Sequence, residues 1–313
     1  MNLKLATLEY VTLKQSMGMR FETEAALLRS FIKQMGDSVA VASVTSKDVL
    51  RYLNGSKAGP VTLFWHHDAL KGFWEFAIRR GYTDRSLVPV HRAKEPVRFV
   101  PYIYSREELK RLLDGVRSYQ KKWLKLEPVT LRAMLLLLYG AGLRVSEALH
   151  LTCADVDLSG ATLTIRESKF YKTRRIALNA QLCGVLSEYD HNRRQHGHAR
   201  SDAALFFTYK DGGAVARYVL ENAFLRLRTH VGVKRQNARY QPRLHDLRHT
   251  FAVHRLTAWY RTGADVQGLL PGLSTHLGHL CLKGTQGYLT MTPELLTEAS
   301  LRFEGYAQEV LHG

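Results

Sequence analysis

The stretch His276-Leu-Gly-His279-Leu-Cys-Leu-Lys-Gly-Thr-Gln-Gly-Tyr288 sets a tyrosine nine residues after a glycine-led histidine. Gly278 marks a tight turn, because glycine reaches backbone conformations closed to other residues and lets the chain approach a ligand closely. Tyr288 falls in a short helical segment ended by Thr292-Pro293. Two cationic islands lie upstream, Gly142-Leu-Arg144-Val-Ser-Glu147 and His245-Asp-Leu-Arg248-His249. The first follows an apolar helix over Leu131–Tyr139 and the break Gly140-Ala-Gly142, so Arg144 opens a new helix. Glu147 then stands at i+3 on the same face and orients the guanidinium from behind. In the second island His245 and Arg248 are three apart and point the same way, whereas His249, one residue on, faces elsewhere and reads as structural. Each piece alone is ordinary, whether surface ion pair, helix face or packing tyrosine. The ordered set carries the information.

Outward from these motifs the chain reads as mostly helical. Glu22 to Met35 has apolar residues at helical spacing, stopped by Gly36-Asp37. Thr45-Ser-Lys-Asp48 caps a second helix, and a third runs over about Val61 to Arg80. The third has an apolar side for a core and a basic side that includes Lys71, Arg79 and Arg80. Pro89 to Pro101 carries three prolines and no helical period, which reads as a linker. The expected organisation is a helical domain over 1–88, a linker over 89–101 and a second domain over 102–313. Ser105-Arg-Glu-Glu108 opens the second domain as a capping box. Its clear strand signals are Ala161–Glu167 and, more weakly, Thr173–Leu178, joined by a loop over Ser168–Lys172. His191 to Arg200 reads as a solvated loop rather than a metal site, since it lacks helix-pair spacing and a carboxylate.

Composition narrows the partner. The chain has 313 residues, a formal charge of +17 and a pI near 9.9. Such an excess points to a polyanion, most often nucleic acid, with salt-dependent binding. Three scattered cysteines without CxxC spacing argue against a disulfide framework or cysteine zinc site and fit a reducing cytoplasm. The most apolar run, Met134 to Tyr139, is far short of the roughly 20 residues of a membrane span.

Cutting a phosphodiester without a metal needs a nucleophile, cations on the non-bridging oxygens and a proton for the leaving alkoxide. Charge builds on the phosphoryl oxygens in the transition state, so fixed positive donors there contribute most. Arginine suits the task because its planar fork grips phosphate and stays charged. Lys169 and Lys172, at the tip of the expected hairpin, are both placed to protonate a leaving oxygen.

In their order and spacing, Gly142-Leu-Arg144-Val-Ser-Glu147-Ala-Leu, His245-Asp-Leu-Arg248-His249-Thr-Phe-Ala, Leu277-Gly278-His279 and Thr285-Gln-Gly-Tyr288 resemble the tyrosine recombinase (phage integrase) family. The likeness covers about residues 102–306. The first hundred residues resemble the family's core-binding domain only in character, with Phe73-Trp-Glu-Phe-Ala-Ile-Arg-Arg-Gly-Tyr82 the best local echo. The resemblance implies a mainly α fold with a small antiparallel β-sheet, built as a two-domain C-shaped clamp on double-stranded DNA. Tyr288 would be the nucleophile that forms a 3′-phosphotyrosyl link. Arg144, Arg248 and His279 would stabilise the phosphorane, His245 would assist proton handling, and Lys169 would be the general acid. Lys71, Arg79, Arg80, Lys172 and Arg174 are candidates for the DNA backbone. Neither ATP nor a metal is implied. Four protomers, alone or beside sister recombinases, would exchange strands through a Holliday junction, with the helix from Pro293 to about Gln308 docking on a neighbour. The expected setting is a bacterial mobile element. A type IB topoisomerase uses the same residue kit, and a catalytically silent DNA-binding factor would share the fold. Two departures stand out: Ser168-Lys-Phe-Tyr-Lys172 replaces a glycine-flanked lysine tip, and Gly263–Ser274 is longer than the usual connection.

Overall fold

Four helices make the N-terminal unit: α1 (Leu3–Ser16), α2 (Glu22–Met35), α3 (Ser46–Gly55) and α4 (Pro60–Arg79). The computed structural model describes residues 1–56, 58–88, 100–119, 125–166, 173–197, 201–236, 241–279, 281–289 and 292–312, with backbone alone at 119, 302, 303 and 305–312. Thr45 and Asp48 cap α3 reciprocally, each side chain taking the other's backbone N–H. Pro60 begins α4, where its missing N–H costs nothing and its fixed φ suits the first turn. The four helices bury Leu3, Leu28, Phe31, Leu70, Phe73 and Trp74 together. Each such side chain contributes roughly 1.5–3 kcal/mol by leaving water. The opposite side of α4 leaves Lys71, Arg79 and Arg80 exposed. Arg80 pairs with Glu9 at 2.9 Å, and Lys71 lies 3.8 Å from Glu75.

The second compact unit takes up the chain from Val100. Its elements are α5 (Arg106–Tyr119), α6 (Pro128–Gly140), α7 (Val145–Leu149), β1 (Val156–Asp157), β2 (Thr162–Ile165), β3 (Arg174–Ala177), α8 (Ala180–Gln195), α9 (Arg217–His230), α10 (Asp246–Arg261), α11 (Val266–Leu277), α12 (Lys283–Gln286) and α13 (Pro293–His312). The chain is therefore mainly helical, with one small antiparallel sheet in the order β1-β2-β3. Ser105 and Glu108 form the expected capping box before α5. Leu163 pairs with Ile176 across the hairpin, and both belong to the buried core that also holds Leu131 and Met134 of α6 and Leu186 of α8. A further core of Phe251, Leu256, Leu273, Leu277 and Leu295 joins α10, α11 and α13 and includes Tyr288.

Three local expectations change. β1 has two residues, too few for an alternation to register in the sequence. His191 to Gln195 continue α8 rather than forming a loop, because Leu186 and Tyr189 anchor the preceding turns and Arg193 stays buried on the same face. Tyr288 lies in a turn just beyond α12 rather than inside a helix. The long Gly263–Ser274 connection is mostly α11 itself, with Pro271 within it. Among the described residues no helix is long and apolar enough to cross a membrane.

Candidate active site

Three arginines from three elements meet at the C-terminal end of α11. Arg174 of β3 donates from Nε to the His276 carbonyl at 2.7 Å. Arg248 of α10 donates from Nη2 to the Leu277 carbonyl. Arg144, at the N-cap of α7, donates from Nη2 to the Gly278 carbonyl at 2.8 Å. These carbonyls are successive and lie at the end of the helix, where the macrodipole makes a negative pole suited to cations. Gly278 closes the helix at φ +64, and a Cβ there would lie 2.8 Å from Arg174 Nη1 and 3.3 Å from Arg144 Nη1. Only glycine lets the guanidiniums pack this closely on the turn. Gly142 works similarly: at φ +62 it packs on the Phe251 ring, and its carbonyl takes a 2.7 Å hydrogen bond from Arg248 Nη1.

Glu147 ties the cluster together. One oxygen accepts from Arg144 Nη1 at 2.6 Å, and Arg174 grips both oxygens at 3.0 and 2.9 Å. The Arg144 backbone N–H also donates to it, and Arg248 Nη1 lies 3.9 Å away. Burial alone would push this carboxyl up, but the Arg174 hydrogen bonds and charge, with those of Arg144, hold it at about 2. One carboxylate thus faces three guanidiniums, which leaves the cluster net positive and open to an anion.

The tyrosine sits beside this cluster. Tyr288 is 3% exposed, and its hydroxyl lies 3.0 Å from His249 Nδ1. The His279 ring is near-parallel to the Tyr288 ring, 21° between planes at 6.1 Å. His279 Nδ1 is held by the Thr285 hydroxyl at 2.7 Å. His276 stacks on Phe251 and bonds the Ala141 carbonyl through Nε2 at 2.8 Å, which makes it a strut for the Gly142 turn. His245 meets His249 edge to face at 5.1 Å.

Burial first, and then neighbouring charge, shifts four titratable groups here. Burial lowers Arg248 to about 10, with the Arg144 charge adding to it. His245 is pushed down to about 3 by burial and by His249 and Arg248. His279 falls to about 4, through burial and then the Arg248 and Arg144 charges. Burial raises the Tyr288 phenol, and the Arg248 and Arg144 charges pull against it. The His245 and His279 shifts both favour the neutral imidazole. An arriving phosphate would reverse the electrostatic part of each effect.

Arg144, His245, Arg248, His279 and Tyr288 are therefore brought together, with Glu147 behind them. Lys169 and Lys172 lie outside the described residues. Arg174, expected on the DNA backbone, instead turns inward, its guanidinium 8% exposed and occupied by Glu147 and His276. Strand parity carries that signal, since Arg174 and buried Ile176 are two apart and share a face. His249, read as facing elsewhere, is in contact with the tyrosine. It lies four residues past His245, hence on that residue's helix face, and comparison with adjacent Arg248 obscures this. Among the described residues no group of three His, Cys, Asp or Glu side chains is arranged to hold a metal ion.

Comparison with known proteins fits this geometry. The phage integrase family model matches residues 104–294. The chain is 40% identical over 211 residues to the putative integrase/recombinase y4rB of Sinorhizobium fredii, covering 67% of each chain. It is 31% identical over 297 residues to y4rE of the same organism, covering 94% of this chain and 93% of that one. Among solved structures, the Tn1549 transposon integrase bound to transposon right end DNA aligns over 98% of this chain and all of that one, with TM-score 0.69 and 16% identity. A lambda integrase tetramer bound to a Holliday junction aligns over 92% of this chain and 77% of that one, with TM-score 0.62 and 15% identity. At such identities the structural likeness speaks to the fold.

Proposed function

This chain belongs to the phage integrase family, the tyrosine recombinases that carry out site-specific DNA recombination, and from that premise we propose which of its residues perform the reaction. Tyr288 Oη attacks the scissile phosphorus, the bond to the 5′-oxygen breaks, and a 3′-phosphotyrosyl link forms. The bond energy stays in that link, so resealing needs no ATP. Arg144 and Arg248 hold the non-bridging oxygens, where each fixed donor is worth on the order of a hundredfold in rate or more. With Thr285 donating to Nδ1, His279 carries its proton on Nε2 and gives that hydrogen bond to the phosphate. His245 assists proton traffic. Lys169, with Lys172 as its competitor, protonates the leaving 5′-oxygen.

The observation that carries this reading is one buried phenol with two arginines, a histidine-held ring and a net positive cradle around it. A buried tyrosine in a plain core needs none of these. The resemblance extends the proposal to a C-shaped clamp on duplex DNA, four protomers exchanging strands through a Holliday junction, and α13 docking on a neighbouring protomer. Lys71 and Arg79 of α4 and Arg80 at its C-cap follow the DNA backbone, and the protein acts in the cytoplasm for a mobile element. The test is a nicked suicide duplex carrying the element's end sequence. Wild type should form a denaturation-resistant protein–DNA adduct, and Tyr288→Phe should form none while still binding. An adduct with Tyr288→Phe would sink the nucleophile assignment.

A further inference from the structure

The phenol of Tyr288 carries a proton that cleavage must remove, and its surroundings narrow where that proton goes. Among the described residues the polar groups at the hydroxyl are His249 Nδ1, at 3.0 Å, and the Arg248 guanidinium. An arginine is a donor only and takes no proton. His245 reaches this spot ring to ring through His249, at 5.1 Å between centroids. We propose that His249 is the base of the cleavage step, its Nδ1 taking the Tyr288 proton as the phenol oxygen bonds to phosphorus. This rests on Tyr288 being the nucleophile.

The step balances as follows. The Oη–H bond breaks toward Nδ1, the Oη–P bond forms, the P–O5′ bond breaks, and the 5′-oxygen takes its proton from the hairpin lysine. Resealing runs in reverse: the 5′-hydroxyl attacks phosphorus and the imidazolium returns its proton to the departing phenolate.

Burial and charged neighbours tune both groups. Buried Asp246 faces His249 and favours its protonated form, while Arg248 and Arg243 oppose it. His245 and His279 complete the ring of titratable groups around it. Burial holds His249 down at about 4 and keeps the phenol above its ordinary value. A phosphodiester on Arg144 and Arg248 adds negative charge that raises His249 and the phenol alike, so the proton passes to Nδ1 as Oη bonds to phosphorus.

The decisive variant is His249→Asn, whose Oδ1 stands near the position of Nδ1 and accepts the phenol hydrogen bond but holds no proton. Single-turnover adduct formation on the suicide duplex should slow by roughly 100-fold or more, with DNA affinity unchanged. The variant's rate should also climb about tenfold per pH unit between about pH 7 and pH 9, as hydroxide replaces the base, while wild type stays flat. A rate within about threefold of wild type would reduce His249 to a positioning residue, and so would a slow variant with a flat pH profile. His249→Gln, read the same way, serves if His249→Asn melts below the assay temperature. An adduct surviving in Tyr288→Phe would instead overturn the nucleophile reading beneath this one.

Discussion

Replacing Glu147 with glutamine removes one charge and almost no volume from the centre of the arginine cluster. Its carboxyl sits at about 2 against an ordinary 4.5. At about 1.4 kcal/mol per pH unit, that difference is worth about 3 kcal/mol of folding stability at neutral pH. A second route agrees. The Glu147 side chain is 6% exposed and Arg174 8%, and breaking a buried ion pair from one side costs about 3–5 kcal/mol. Urea melts of the DNA-free protein should therefore place Glu147→Gln about 3 kcal/mol below wild type at neutral pH. The sign of the pH dependence follows from the lowered carboxyl. Its contribution is complete above about 4.5 and fades as pH drops through about 2, so the gap should narrow to roughly 2 kcal/mol by about pH 3.5. A variant within about 1 kcal/mol of wild type at neutral pH, or a gap that does not change with acid, would refute the central role given to this carboxylate.

Gly278→Ala forces a Cβ to 2.8 Å from Arg174 Nη1 at φ +64. It should cost about 1–2 kcal/mol of stability and slow adduct formation by roughly 100-fold with DNA affinity nearly intact, measured by melts and single-turnover gels. Thr285→Val removes the hydroxyl 2.7 Å from His279 Nδ1. The rate should fall about tenfold or more, and a wild-type rate would detach Thr285 from His279. His245, His249 and His279 sit at about 3, 4 and 4. Because these imidazoles are lowered in the fold, the unfolded chain binds their protons first. Stability is thus complete above about pH 6.5 and lost as pH falls toward 4, and thermal melts should show that loss blunted by duplex DNA.

Local signals were readable where the physics is local. The Thr45–Asp48 and Ser105–Glu108 caps involve residues three apart, and the Arg144–Glu147 pair is of the same kind. Leu28, Phe31 and Ile32 bury one helical face at the expected spacing. The parts that escaped depend on distant partners. Arg174 looked like one cation in a basic turn because the group that draws it inward, Glu147, is 27 residues away. His249 looked structural because its partner lies 39 residues on and beyond two turns. The main-chain carbonyls of 276–278 leave no trace in residue type at all. The ordered motif set named residues that the fold brings together without revealing which backbone atoms hold them.

Those three carbonyls make the length of α11 as consequential as any side chain in the site. An α-helix turns about 100° and rises about 1.5 Å per residue. One residue inserted in Val266–Leu277 would therefore swing the acceptors of Arg174, Arg248 and Arg144 away together. Such a chain would still contain every motif residue in the right order, and a tally of motifs would score it as intact. It would nonetheless be a recombinase with its arginine cluster undone, so length variants of this helix are where a silent member of the family should be sought.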